Sequence, residues 1–265
     1  MNLAGRTTLL TGATGGLGHA IARALAQRGA RLVLTGRRQE VLEPLAAELG
    51  ARAVGADLAD SRAVEALLAE AGDVEVLVAN AGVPADGPVL EYTAEQIDRA
   101  LDVNLRAPIH LARALIEPMT ARGEGHMLFM SSLSGKVATH HSALYSATKY
   151  GLRGFASAMR QDLADTGIGV SAVFPGPIRD AGMFADSGAR MPLGAGTRSP
   201  QDVGRAVVRA IERDRSEIDV ASVPARVWTI LGGIAPGTLT ALNRRLGAEQ
   251  IAAQIAGSEA HRSKR

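Results

Sequence analysis

The sequence predicts an α/β fold: a doubly wound parallel sheet of about seven strands with helices on both faces, followed by a helical C-terminal extension. Short apolar, β-branched runs alternate with longer stretches whose apolar residues recur at helical spacing. A glycine-rich turn joins the first such run to the first helix. The chain has 265 residues and 46% apolar content, enough to bury a full core within one α/β domain.

Each element has its own signal. Leu9 and Leu10 mark the first strand, and Leu17, Ile21, Ala24 and Leu25 set a helix over 17–27. Between them lie Gly12, Thr14, Gly15, Gly16 and Gly18. Gly12 permits a tight turn, Gly16 lets backbone approach a pyrophosphate, and Gly18 lets the helix pack closely on the strand. The helix start offers free N–H groups and partial positive charge to phosphate. Residues 31–35 form a second strand, then Gly36-Arg37-Arg38 and a helix reaching Leu49. A third strand over 51–56 ends at Asp57, and a helix over 64–71 leads to a fourth strand over 74–79, ending in Asn80-Ala81-Gly82. Residues 93–122 read as one long helix, with Thr93 as N-cap and Glu95 or Gln96 completing a capping box. Pro108 inside it predicts a kink or a join. A strand over 126–130, a helix over 144–165, a strand over 168–174, a helix over 200–213 and a strand over 217–221 complete the alternation. No internal repeat or low-complexity segment interrupts it.

In open α/β sheets ligands sit outside the carboxyl ends of the strands. Those ends here carry Gly12, Gly36-Arg37, Asp57, Asn80-Ala81-Gly82, Ser131-Ser132 and Pro175-Gly176. Turn residues belong at any strand end, but six polar or backbone-permissive ends on one edge point to a site. Tyr145 and Lys149 lie four residues apart, on one face of their helix. A nearby ammonium favours the phenolate and moves its pKa from about 10 towards neutrality, where proton transfer is efficient. A solvated lysine beside a half-buried tyrosine has the same spacing. Ser132, at the end of the fifth strand, adds a hydroxyl for a substrate oxygen.

At these residues the chain resembles the short-chain dehydrogenases/reductases, in their single-domain branch. Thr11-Gly-Ala-Thr-Gly-Gly-Leu-Gly18 matches the family's TGxxxGxG, and Asp57, Asn80-Ala81-Gly82, Asn104, Ser132, Tyr145, Lys149 and Pro175-Gly176 follow in order, over roughly residues 5–221. The resemblance implies a Rossmann-like catalytic domain over 1–221. Within it residues 177–199, rich in Gly and Met (Met183, Met191), read as a lid over the substrate. Residues 222–265, beyond the family's minimal core, read as a helical extension and basic tail. The resemblance also implies that Tyr145 is the general acid or base, that Ser132 polarises the carbonyl, and that Lys149 supports Tyr145 and holds the nicotinamide ribose. Asn104 would support a water leading from Lys149 to solvent. A dinucleotide would lie along Gly12, Thr14, Gly15, Gly16, Leu17 and Gly18, with Asp57 and Leu58 at the adenine and Asn80, Ala81 and Gly82 at the adenosine. Tyr145, Lys149, Pro175, Gly176 and Ile178 would border its other end.

Cofactor choice follows from charge. An acid at the end of the second strand would bond the ribose 2′-OH of NAD(H); here Gly36 is followed by Arg37 and Arg38, which favours NADP(H), with NAD(H) second. Thr14-Gly15 stands where many NADP-preferring relatives carry a basic residue. The family often has threonine after Pro-Gly, whereas this chain reads Pro177-Ile178-Arg179-Asp180, so Arg179 compensates for an ionised Asp180 or the lid approaches differently. The expected activity is hydride exchange between NADP(H) and a carbonyl or secondary alcohol. A dinucleotide-binding redox sensor and a lyase or epimerase on the same fold are the alternatives.

Other classes are disfavoured. A net charge of +2 is too small an excess to argue for nucleic acid. Cysteine is absent, which removes disulfides and thiolate chemistry, and the six histidines show no metal-ligand spacing. His140-His141 reads as a solvated loop pair. No apolar run reaches a membrane span and residues 1–10 lack a signal peptide's features, so stable membrane insertion is not expected and a cytoplasmic location is. The extension around Trp228 is expected to cover the cleft or join a subunit interface. Its Arg226, Arg244 and Arg245 are too few for strong membrane-surface binding. A homodimer or homotetramer through the helices at 93–122 and 144–165 is expected from the resemblance, acting on a small, apolar carbonyl or alcohol.

Overall fold

The computed structural model describes residues 1–188, 196–238 and 241. Seven parallel strands form one sheet in the order β3-β2-β1-β4-β5-β6-β7. They are β1 (Thr7–Thr11), β2 (Arg31–Gly36), β3 (Arg52–Gly55), β4 (Val76–Ala79), β5 (Gly125–Met130), β6 (Ile168–Pro175) and β7 (Glu217–Val220). The helices are α1 (Gly16–Ala26), α2 (Gln39–Leu49), α3 (Ser61–Ala71), α4 (Ala94–Leu101), α5 (Ala107–Arg122), α6 (Ala143–Asp162), α7 (Met183–Ser187), α8 (Pro200–Glu212) and α9 (Val223–Ile234).

Every residue of β4 and β5 is buried, and apart from His126 these runs are apolar or glycine without alternation. The two faces of the sheet carry separate cores. Leu10, Leu34, Val76 and Leu128 pack under α1, α2 and α8, and Leu9, Leu77, Phe129 and Phe174 pack under α3, α5 and α6. The strand order reverses between β1 and β4, and the ends of those two strands are laced together. Thr11 Oγ1 accepts from the N–H groups of Asn80 and Ala81, both at 3.0 Å, and Asn80 Nδ2 donates to the Thr11 carbonyl at 3.0 Å. That lacing fixes the crevice in which ligands of such sheets sit.

Residues 94–122 are helical throughout, as expected, but not uniformly: α4 ends at Leu101, a wide π-type turn spans Asp102–Arg106, and α5 continues from Ala107. Pro108 stands in the first turn of α5 and has no N–H to return to the Asn104 carbonyl, so the turn before it widens and forms the join between the two α-helical parts. The Thr93 capping box forms as expected, with Gln96 as its partner. Small boundary shifts also occur, such as α6 ending at Asp162 rather than 165. Within the expected lid, α7 is a short helix, while residues 189–195, with Met191, lie outside the described residues, as do Arg244 and Arg245 of the tail.

Candidate active site

A cleft of about 1630 Å³ runs along the carboxyl edge of the sheet. Every candidate residue lines it except Asn104, which is fully buried behind it. The glycine turn forms one end. Gly12 has φ 67°, a left-handed backbone, and a Cβ there would lie 2.7 Å from Ala81 Cα. A Cβ on Gly18 would lie 2.2 Å from the Gly12 carbonyl, so close helix–strand packing requires glycine. α1 begins at Gly16 with no side-chain cap and no acidic residue in its first turn. Its leading N–H groups therefore remain for an anion in the cleft. A Cβ on Gly16 would meet the Ala181 Cβ at 2.5 Å, because the segment before α7 lies directly over the turn. These residues fit the phosphate end of a dinucleotide.

Beyond the turn, a Cβ on Gly36 would meet Thr14 Cγ2 at 2.7 Å, so the end of β2 has no room for an acidic side chain unless Thr14 moves. Arg37 and Arg38 line the cleft at that point, and Arg38 Nη2 donates to the Thr14 carbonyl at 2.5 Å. Asp57 is neutralised by Arg99, whose Nη2 lies 3.0 Å from Oδ2. Burial opposes the Asp57 charge, but the Ala59 N–H and the Arg99 guanidinium outweigh it and hold the carboxyl below its usual range.

The other end of the cleft is built from β5, α6 and the wide turn. Ser132 follows β5, and its Oγ accepts from the Ser134 N–H at 3.1 Å, leaving the hydroxyl proton for a ligand. Tyr145 and Lys149 sit one turn apart on α6, with Lys149 Nζ 5.6 Å from the phenol ring centroid. The Tyr145 N–H donates to the Ala85 carbonyl at 3.1 Å, tying α6 to the loop after β4. Lys149 is 3% exposed, and Nζ donates to the Met130 carbonyl at 2.9 Å. Burial pushes its ammonium down to about 8. A Cβ on Gly82 would lie 3.7 Å from Lys149 Nζ and 3.3 Å from Asn104 Oδ1, so glycine there keeps the approach to the lysine open. Asn104 holds Val83 by both ends of its amide, at 2.7 Å and 2.9 Å.

Several lining residues carry no local signal. Tyr92, Gln96 and Arg99 come from the 3₁₀ turn and α4 region, and Ala225, Trp228 and Thr229 come from α9. The first three are brought in only by the chain's return from β4, which no spacing encodes. Asp180 lies on the cleft with φ 68°, paired to Arg179 at 3.4 Å. His140 and His141 meet edge to face, with ring centroids 3.9 Å apart, and do not line the cleft. No cluster of potential metal ligands occurs among the described residues. No helix among them is long and apolar enough to cross a membrane.

Comparison with known proteins gives one answer. The profile of the family described as short chain dehydrogenase matches residues 6–191. The ketoacyl reductase HetN of Nostoc sp. is 35% identical over 259 residues, covering 92% of this chain and 90% of its own. The short-chain dehydrogenase from Sphingobium yanoikuyae in complex with NADPH superimposes with a TM-score of 0.75 at 30% identity, covering 88% of this chain and 95% of its own. A single-residue variant of the actinorhodin polyketide ketoreductase with NADPH gives a TM-score of 0.75 at 30% identity, covering 82% and 96%.

Proposed function

Because the chain belongs to the short-chain dehydrogenase family, as an oxidoreductase with a nicotinamide dinucleotide cofactor, we propose that it reduces a small carbonyl compound, or oxidises the matching secondary alcohol, with NADP(H) as its preferred cofactor. The observation that carries this reading is the convergence of Ser132, Tyr145 and buried Lys149 on the cleft that begins at the glycine turn.

The glycine turn and the start of α1 hold the pyrophosphate, and Arg37 and Arg38 hold the 2′-phosphate. Pro175, Gly176 and Ile178 border the nicotinamide end. The bound nicotinamide supplies or accepts the hydride. In reduction, Ser132 Oγ donates a hydrogen bond to the carbonyl oxygen, and Tyr145 Oη gives that oxygen its proton. The Lys149 ammonium stabilises the phenolate left behind. Asn104, its amide occupied by Val83, offers its backbone carbonyl to a water that returns the proton towards Lys149. In oxidation the same groups work in reverse, with Tyr145 as base.

The preference for NADP(H) is supported by the lack of room for an acid at Gly36, the two arginines beside it and the neutralised Asp57. The ligands named with two structural relatives agree. The apolar surroundings of Leu133, Val137, Met183, Phe184 and Trp228 suit an uncharged, lipophilic substrate. Assembly into a dimer or tetramer through α5 and α6 belongs to the same reading.

The test is turnover of a panel of ketones and aldehydes with NADPH. Tyr145→Phe should lose about 10²-fold or more in kcat while keeping NADPH affinity. A Tyr145→Phe variant with full activity would overturn the assignment. Tight retention of a cofactor that never exchanges would favour a lyase or epimerase.

A further inference from the structure

α9 has three distinct sides. Ala225, Trp228 and Thr229 line the cleft. Val223, Val227, Ile230, Leu231 and Ile234 point elsewhere and are between 49% and 77% exposed. At 3.6 residues per turn these five fall within an arc of about 100°, a continuous apolar stripe. Arg226 stands beside one edge of that stripe.

Arg226 also forms the wall of a separate surface groove of about 600 Å³, which it shares with Arg28, Arg198, Arg205, Arg209 and Arg213. Arg205, Arg209 and Arg213 recur every four residues along α8 and its C-cap, so like charges stack on one face at an energetic cost. The groove's acids are already engaged. Asp202 caps α8 and pairs with Arg205 at 2.5 Å, Glu212 lies 3.5 Å from Arg28, and Asp219 receives Lys136 at 2.6 Å. Arg209, Arg213 and Arg226 have no acidic partner among the described residues.

We propose that the α9 stripe and the α8 arginine groove together form a docking face for an anionic lipid surface. Phosphate-bearing headgroups sit in the groove, and the stripe enters the acyl boundary without spanning it. Charge complementarity selects this occupant. A two-fold pairing of the same face would bring a second set of these arginines to the rim, like against like. An anionic bilayer satisfies both parts at once. Counting only the arginines of the extension undervalues this face, because its charge is shared with α8, which sequence distance conceals. The inference is independent of the redox chemistry and of the cofactor.

The test is flotation of the full chain with vesicles of phosphatidylcholine alone and of a two-to-one mixture of phosphatidylcholine and phosphatidylglycerol. The protein should float with the mixed vesicles and not with the neutral ones, and high salt should release it. Arg209→Gln with Arg213→Gln should weaken binding about tenfold or more. Val227→Ser with Ile230→Ser should weaken it similarly, and both variants should keep wild-type NADPH binding and thermal midpoint. The arginine pair is exposed, so it remains a test even if the serine pair fails to fold. Failure to float, equal binding to both vesicle types, or unchanged binding by the arginine variant would overturn the proposal. So would a solution dimer that the serine pair dissolves, since a second copy would then cover the stripe.

Discussion

Lys149 is held where the fold least wants a charge. Its ammonium is buried, with the Met130 carbonyl as hydrogen-bond acceptor, and its pKa falls from the ordinary 10.5 to about 8. The unfolded chain keeps the proton up to the ordinary value, so burial costs stability below about pH 8 and the cost is relieved as pH rises from there towards 10.5. Lys149→Met should therefore raise the urea midpoint at pH 7 while removing activity, and a lower midpoint would contradict this account of the site. His126 titrates in another window. Its Nε2 lies 2.8 Å from Ser171 Oγ, whose own proton goes to the Arg215 carbonyl at 2.6 Å, so Nε2 carries the hydrogen. Burial, only partly offset by Asp214, pushes its pKa down to about 4. The unfolded chain takes up the proton near 6.5 while the folded chain resists it, so stability is full above that value and is lost as pH falls towards 4. The loss is on the order of 3 kcal/mol. Denaturant midpoints measured across this range should fall less steeply for His126→Gln than for the wild type.

At the scale of elements, the glycine turn and the segment before α7 approach each other closely at Gly16 and Ala181. Gly16→Ala places a methyl 2.5 Å from the Ala181 side chain, so one of them must move. NADPH binding should weaken about tenfold or more, and adding Ala181→Gly should restore part of it. A titration in which Gly16→Ala binds like wild type would show that the segment before α7 yields freely. This turn was legible in the sequence because its signal is local: strand, glycines and helix follow one another within a dozen residues. The wide turn between α4 and α5 was half legible: Pro108 announced a kink or a join, and the two leave the same mark in a sequence. The partnership of Asp57 with Arg99 was hidden, since the chain must pass from β3 through α3 and β4 to α4 before the two meet. Asn104 could be placed from resemblance, yet its grip on Val83 emerged only from the folded turn. Tyr145 and Lys149 were readable because one helical turn joins them; that the lysine is buried was not, because burial comes from β5 and the 3₁₀ turn after Ser132.

For the whole molecule, the parallel sheet sets the site by putting the carboxyl ends of all its strands on one edge, with the reversal between β1 and β4 opening the crevice. α9 then closes one wall of the cleft while presenting an apolar stripe outward, so the extension belongs to the site as much as to the surface. The central claim is that this crevice binds a dinucleotide through its glycine turn and selects the 2′-phosphate through Arg37 and Arg38. Titrating the full chain with NADPH and with NADH, followed by nucleotide fluorescence, tests it most directly. Tight binding of NADPH with NADH weaker by about tenfold or more is the result expected from a desolvated arginine–phosphate contact. Equal affinity or a preference for NADH would contradict the arginine reading, and no binding of either would leave the glycine turn as architecture alone.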